Sequence, residues 1–294
     1  MSAIQFAYLG KAGAMQQLVQ PPKGFQGDPS LGDSAHTLLS GGTAMVRNLN
    51  AKKLFTLPYD VTADQSDVIL GFYRGLYGTG PYRFVDPTAR NMLGLDVSTL
   101  GLRGAAALGW YQSTGNVARS SSGGPSSLQT GVLTWSSLSA SATIQPGVAT
   151  NTADVNSAPV YISAEPVTVS VYVMASSSSS GHTLQLVGYD SAGAVLVSSA
   201  NVSMSLTTSW QRFSVTIAAG AGGYGSAIYV LPRIVLGAAV PTSVSVAAAQ
   251  LEYADTVSTW QPGFGCPKVV ISQGPGRTIS APGWRSHTLT LAEV

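Results

Sequence analysis

The sequence predicts a mostly β protein: a β-rich domain with one helix, split between the two ends of the chain, and an inserted antiparallel β-sandwich of jelly-roll type. Three observations carry this expectation. Between residues 131 and 253 the apolar pattern repeats every second residue through about eight to ten short segments. One earlier segment, after Asp60, has helical spacing instead. The chain then ends in two short strand-like segments after Cys266, too few to fold by themselves.

Bulk properties agree with two bodies. At 294 residues the chain is long for one core and comfortable for two. Hydrophobic residues make up 45% and charged residues 10%, where about 25% charged is usual. The formal net charge is +2, and no basic run exceeds Lys52-Lys53, which argues against nucleic-acid binding. The single Cys266 excludes an internal disulfide and reads as a buried small hydrophobe. "MSAIQFAYLGKAG" has no basic segment followed by an apolar run, so no secretion signal is expected. No stretch nears the ~20 apolar residues that span a bilayer, so membrane insertion is not expected either. Synthesis in a cytoplasm follows.

Taken in order, "KKLFTLPYD" reads as a strand stopped by Pro58. In "DVTADQSDVILGFYRGLYG", Thr62 and Gln65 have capping-box spacing, and Asp64 and Asp67 favour the first helical turn. Val68, Ile69, Phe72 and Tyr73 form one apolar stripe, and Gly75 can end the helix in a left-handed conformation. "GPYRFVDPTARNML" reads as turn, short strand and turn. From about 96 the chain loosens, with a flexible linker over about 112–131 around "ARSSSGGPSSLQTG".

In "PVTVSVYVMAS", Val167, Val169, Val171 and Val173 share one face. "ASSSSSGH" reads as a hairpin loop, and Asp190-Ser191-Ala192-Gly193 as a hairpin turn. "SWQRFSVTIA" sets Phe213, Val215 and Ile217 against Arg212, Ser214 and Thr216. "GVLTWSS", "SATIQP", "PVYIS", "SAIYVLPRIVLG" and "PTSVSVAAAQLEY" complete the strand set. The final segments, Lys268–Ser272 and His287–Glu293, need partners, and the N-terminal piece is the expected one. The expected domains are therefore 1–95 with 263–294, and 96–262.

Candidate chemistry is sparse. His36, His182 and His287 are scattered, and no zinc spacing, phosphate loop or GxSxG occurs, so no catalytic residue, metal ligand or cofactor is expected. Asp154, Glu165, Asp190 and Glu252 are the acids in or beside the strands, and each reads first as a solvated loop acid. Residues 80–93 read either as a stapled turn or as a rigid subunit contact, with Pro81, Tyr82, Arg83, Phe84, Asp86 and Arg90 as its candidates; the two arginines flank Asp86 in an ion-paired arrangement. Among the sandwich aromatics, Tyr172 lies opposite the valine row. With Trp210 it is a candidate platform for a sugar ring, set against an ordinary role in the core or rim. Tyr253, Trp260 and Phe264, in "QLEYADTVSTWQPGFGCPKV", read as packing at the seam where the chain leaves the sandwich.

The pattern "LFTLPYDVTADQSDVILGFYRGLYGTGPYRFVDPTARNML" resembles the N-terminal region of minor tail proteins of long-tailed actinobacteriophages. "VTVSVYVMASSSSSGHTLQLVGYDSAGAVL", "SWQRFSVTI" and "QLEYADTVSTWQPGFG" are similar to the jelly-roll carbohydrate-binding-like modules of such proteins. The plan of a ring domain carrying an inserted sandwich also resembles distal tail proteins. The resemblance implies a virion component in a homo-oligomeric ring, commonly sixfold, in contact with other tail proteins. It transfers no ligand residues. The alternative is an adhesin that binds host cell-envelope glycan through the sandwich, and a glycan hydrolase is a third reading.

Overall fold

The structure, a computed structural model, describes residues 6–19, 26–30, 34–37, 43–46, 52–100, 109–126, 128–272 and 278–294. Residues 6–84 with 267–294 form one compact unit, and residues 85–266 form another.

The first unit opens with strands β1 (Ala7–Lys11), β2 (Ala14–Leu18), β3 (Gln26–Ser30), β4 (Ser34–Thr37), β5 (Thr43–Val46) and β6 (Lys52–Thr62). Helix α1 (Ala63–Tyr73) begins where the Thr62 N–H donates to Gln65 Oε1 at 3.3 Å. It stops in a Schellman pattern. Gly75 takes φ +73°, its N–H reaches Phe72 O at 3.3 Å, and the Leu76 N–H reaches Gly71 O at 2.9 Å. Strand β7 (Tyr82–Val85) follows.

Strand β6 runs through Pro58, contrary to expectation. Pro58 pairs with Thr288 on one side, while β3 covers the other side only as far as Thr56. The missing N–H therefore falls where the strand has no second described neighbour, the setting in which a sheet tolerates proline.

The second unit holds the short helix α2 (Leu95–Thr99), which the sequence pattern does not signal, and ten strands. They are β8 (Trp110–Gln112), β9 (Asn116–Ser120), β10 (Val132–Ser136), β11 (Thr143–Pro146), β12 (Val167–Ala175), β13 (Ser179–Tyr189), β14 (Val195–Leu206), β15 (Gln211–Ile217), β16 (Tyr229–Val235) and β17 (Ser243–Glu252). Two five-stranded antiparallel sheets result, ordered β15-β12-β17-β10-β9 and β14-β13-β16-β11-β8. Val167, Val169, Val171 and Val173 from the first sheet, and Leu184, Leu186 and Ile234 from the second, are fully buried. Each such side chain contributes about 1.5–3 kcal/mol by leaving water.

Three expectations change here. Residues 116–120 of the expected linker are strand β9, in register with β10 from Val132↔Ser120 to Ser136↔Asn116. Their Ser/Gly-rich continuation disguises an edge strand. "ASSSSSGH" is no hairpin, because β12 and β13 belong to different sheets and the segment crosses between them. At that crossing His182 is wholly buried; its Nδ1 accepts the Gly237 N–H at 3.0 Å and its Nε2 lies 2.9 Å from Ser179 Oγ. "PVYIS" makes only an isolated bridge, Val160↔Tyr229, with turns on either side of it.

Strands β18 (Lys268–Ile271), β19 (Thr278–Ala281) and β20 (Trp284–Glu293) return to the first unit. β18 pairs with β7 (Lys268↔Arg83), and β20 pairs with β6 over Leu54 to Thr62. The result is an eight-stranded sheet, β2-β1-β7-β18-β20-β6-β3 with β19 on β20. Helix α1 packs on it through Ile69 and Phe72 against a core containing Leu9, Phe55, Leu57, Phe84, Leu289 and Leu291. Ser66 Oγ and His287 Nε2 meet at 2.7 Å in that interface.

Candidate functional site

The stretch 250–266 closes the second unit. Asn91, buried to 1% exposure, ties three segments together. Its Nδ2 donates to Ala249 O (2.9 Å) and Gln261 O (2.8 Å), and its Oδ1 accepts from the N–H groups of Leu93 and Leu251, both at 3.1 Å. Its own carbonyl accepts from Phe264 and Gly265, and the Asp86 N–H reaches Gly265 O at 3.0 Å. The segments meet so closely that a Cβ on Gly263 would lie 2.0 Å from Leu93 O. One on Gly265 would lie 2.5 Å from Met92 Sδ. Tyr253 and Trp260 are buried, with the Tyr253 hydroxyl donating to Val160 O and Trp260 Nε1 to Ala249 O. Phe264 is 45% exposed and takes part through its backbone.

Tyr172 and Trp210 belong to one partly buried cluster with Leu128, packed on Val132, Ala247, Ala248 and Trp260. The Arg212 guanidinium sits 5.4 Å from the Tyr172 ring centroid, over the ring itself. Trp210 Nε1 donates to Gly123 O at 3.2 Å. Beside them the outer face of the first sheet is covered by residues 254–261. Arg212 donates to Ser258 O (2.6 Å) and Ser170 Oγ (2.9 Å), Thr168 Oγ1 to Ala254 O (2.7 Å), and Gln250 Nε2 to Ser258 Oγ (3.1 Å). Glu252 accepts both the N–H and the hydroxyl of Ser258. Of the two residues expected to form a sugar platform, Tyr172 carries the Arg212 guanidinium on its ring, and both Tyr172 and Trp210 are half-buried. Gln250, Glu252 and Ser258, which organise this cover, lie within nine residues of one another, but nothing in their spacing signals the contacts they make.

The 80–93 stretch divides by burial. Tyr82, Arg83, Phe84 and Asp86 are buried, while Pro81 and Arg90 are exposed. Phe84 packs against Phe55 with ring centroids 4.9 Å apart and planes tilted by 54°, and the Tyr82 hydroxyl donates to Gly78 O. Asp86 Oδ1 accepts from Thr88 N (2.8 Å) and Oγ1 (2.6 Å), which fixes the turn locally. Of the six residues expected to make a subunit contact, Pro81 and Arg90 are the exposed ones. Pro81 borders an open groove of about 530 Å³ lined also by Phe72, Tyr73, Tyr82 and Val270. Burial pushes the Tyr73 hydroxyl up to about 12.

The outer face of the second sheet has a different character. Alternation along the strands, with Ile144 and Ile234 facing inward, puts Tyr111, Gln145, Arg233, Gln185 and Asn201 in one cross-strand row. Arg233 is 8% exposed; its Nε donates to Gln185 Oε1 at 2.9 Å and its Nη1 to Asn151 Oδ1 at 2.8 Å. Burial lowers its pKa, and Tyr189 and Tyr224 act in the opposite sense. Gln145 is 1% exposed, yet neither its amide nitrogen nor its oxygen has a hydrogen-bond partner, and the buried Tyr189 hydroxyl has none. Leaving such groups unpaired costs about 1–3 kcal/mol each. The sequence gives no warning of this row, since its members come from five strands.

No protein-family model matches the sequence, and comparison with curated proteins finds no match. Among solved structures, the enzymatically active domain of tailspike protein 4 from bacteriophage CBA120 is similar at 7% identity, covering 57% of this chain and 22% of that one, with a TM-score of 0.40. The CBM22-1 xylan-binding domain of Xyn10C from Paenibacillus barcinonensis is similar at 12% identity, covering 57% of this chain and all 100% of the domain, with a TM-score of 0.38. A cyclase from Fischerella sp. TAU gives 15% identity, 57% and 100% coverage and a TM-score of 0.39. The chain thus spans only about a fifth of the tailspike chain, and likenesses of this strength carry no weight for function.

Proposed function

We propose that this chain is a structural component of a phage tail, a minor or distal tail protein that assembles as a homo-oligomeric ring among other tail proteins and carries the sandwich as an added module. The supporting observation is topological. Segments from both ends of the chain meet in one eight-stranded sheet, and the sandwich lies between β7 and β18 in sequence. A body closed this way suits a repeated subunit, because closed symmetry buries the same patch in every copy. Leu76 at 71% exposure and Trp284 at 46% give that body apolar surface of the kind assembly covers. Such a protein would be made in the host cytoplasm and reside in the virion tail, with no catalytic role. Light scattering behind a sizing column tests this: the full chain should run as a multimer, and Leu76→Glu should lower its mass. A monomer at every concentration would defeat the reading.

A second reading, an adhesin for host-surface glycan, draws on the polar row of the second sheet. Glycan-array binding by the full chain tests it.

A further inference from the structure

We infer that the row centred on Gln145 and Arg233 is a binding site for a carboxylate-bearing saccharide unit, closed in this structure by the hairpin of residues 147–152. The inference deepens the adhesin reading and rests on it, while being independent of ring assembly.

Arg233 has neutral partners only. The nearby loop acids are used elsewhere: Asp154 accepts from Asn156 N and Ser157 Oγ, and Asp190 accepts from Ala192 N and Ala194 N. Among the described residues the structure gives the guanidinium two carboxamide oxygens and no carboxylate. A buried cation without a counter-charge is costly, and an oxyanion brought to it is correspondingly favoured. Beside it the Gln145 carboxamide offers one unpaired donor and one unpaired acceptor, and the Tyr189 hydroxyl is close enough for the Arg233 charge to act on it. A sugar acid matches this set. Its carboxylate takes Arg233, while an adjacent hydroxyl donates to Gln145 Oε1 and accepts from Nε2. A neutral apolar ligand would leave every one of these groups unpaired.

The cover is identifiable. The hairpin is closed by Val148 N to Thr152 O and Thr152 N to Ala149 O, both at 3.1 Å, and its ends are anchored by Gly147 N to Gly109 O at 2.6 Å and by the Thr152↔Ala194 bridge, so opening moves the tip of residues 148–151. Val148 and Asn151 are exposed, so little apolar area resists its displacement. Gly147 lies over the amide: a Cβ there would stand 3.5 Å from Gln145 Nε2 and 2.4 Å from Thr152 O. Asn151 Oδ1 occupies Arg233 Nη1 as an internal stand-in for the ligand oxygen.

The test is titration calorimetry of the full chain with D-glucuronate, using D-glucose and inorganic phosphate as comparators. Glucuronate should bind in the millimolar range, and both comparators at least about tenfold more weakly. Asn151→Gly, which suits the left-handed backbone at this position (φ 57°), removes the competing acceptor and should tighten glucuronate about three- to tenfold. Gln145→Leu should weaken it at least about tenfold while raising the Tm, because an unpaired buried amide is removed. Raised stability makes that variant informative even if Arg233→Gln fails to fold. Glucose binding as tightly as glucuronate overturns the carboxylate assignment, and equal phosphate binding overturns the saccharide assignment. Glycan binding that survives both Gln145→Leu and Arg233→Gln overturns this site while leaving the adhesin reading intact.

Discussion

Gln250 and Glu252 on one sheet of the sandwich are as deeply buried as Gln145 and Arg233 on the other, but their surroundings differ. The first pair is covered by residues 254–261, which supply partners for each polar end: Ser258 for both, and the Gln261 N–H for Gln250 Oε1 at 3.1 Å. The second pair lies under a short hairpin that satisfies one guanidinium nitrogen and neither atom of the amide. A covered polar group with its partners present is architecture, because removing the cover would cost several hydrogen bonds at once. A covered polar group without partners costs free energy in the closed state, and a ligand can recover it. Gln250 and Glu252 fall in the first class, and the half-buried Tyr172 and Trp210 lie on the same sheet face beside them.

The sharpest way to break this contrast is at the closure of the first face. Gly263→Ala would set a methyl 2.0 Å from a backbone oxygen that cannot move without tearing the Asn91 junction. We expect loss of soluble protein, or a destabilisation of about 4 kcal/mol or more read from urea unfolding. Asn91→Ala should cost about 3–5 kcal/mol by the same measurement, since it takes their partner from two N–H groups and from the Gln261 carbonyl and leaves Ala249 O with Trp260 Nε1. A loss below about 1 kcal/mol would mean the segments hold together without it.

A pH series separates the sandwich from the rest. Burial lowers the His182 pKa, and Nδ1 is already occupied by the Gly237 N–H, so the folded ring resists a second proton. The unfolded chain takes that proton near its ordinary value of about 6.5. This contribution to stability is therefore complete above about 6.5 and is lost progressively as pH falls below it. Unfolding midpoints should drop between about pH 6.5 and 5, and His182→Asn should flatten the slope. The smallest effect is expected at the aromatic cluster. Tyr172→Ala and Trp210→Ala should each cost about 1–2 kcal/mol from lost packing, with glucuronate binding unchanged. Loss of that binding in either variant would move the ligand to the first face.

Periodic residues disclosed their elements. Val167 to Val173 show the core face of β12, and Thr62, Gln65 and Gly75 mark both ends of α1, because those signals are local. Pairing across the chain was legible only as a need: β18 and β20 cannot stand alone, but the sequence does not give the register of Leu291 with Phe55. The strand β9 was hidden by serines, which neither favour nor forbid an exposed edge. The Gln145–Arg233 row was illegible for a physical reason: cross-strand neighbours are set by register, and no local pattern encodes which of several glutamines will lie beside a guanidinium.

Where the chain departs for the sandwich and where it comes back, the Phe84 N–H donates to Pro267 O at 3.1 Å, and Val269 lies in register with Tyr82. The two cut ends are neighbours, so a short peptide could rejoin them. The remaining body would then be a socket, able to lose its cassette or exchange it by recombination without re-registering a single strand of its own sheet.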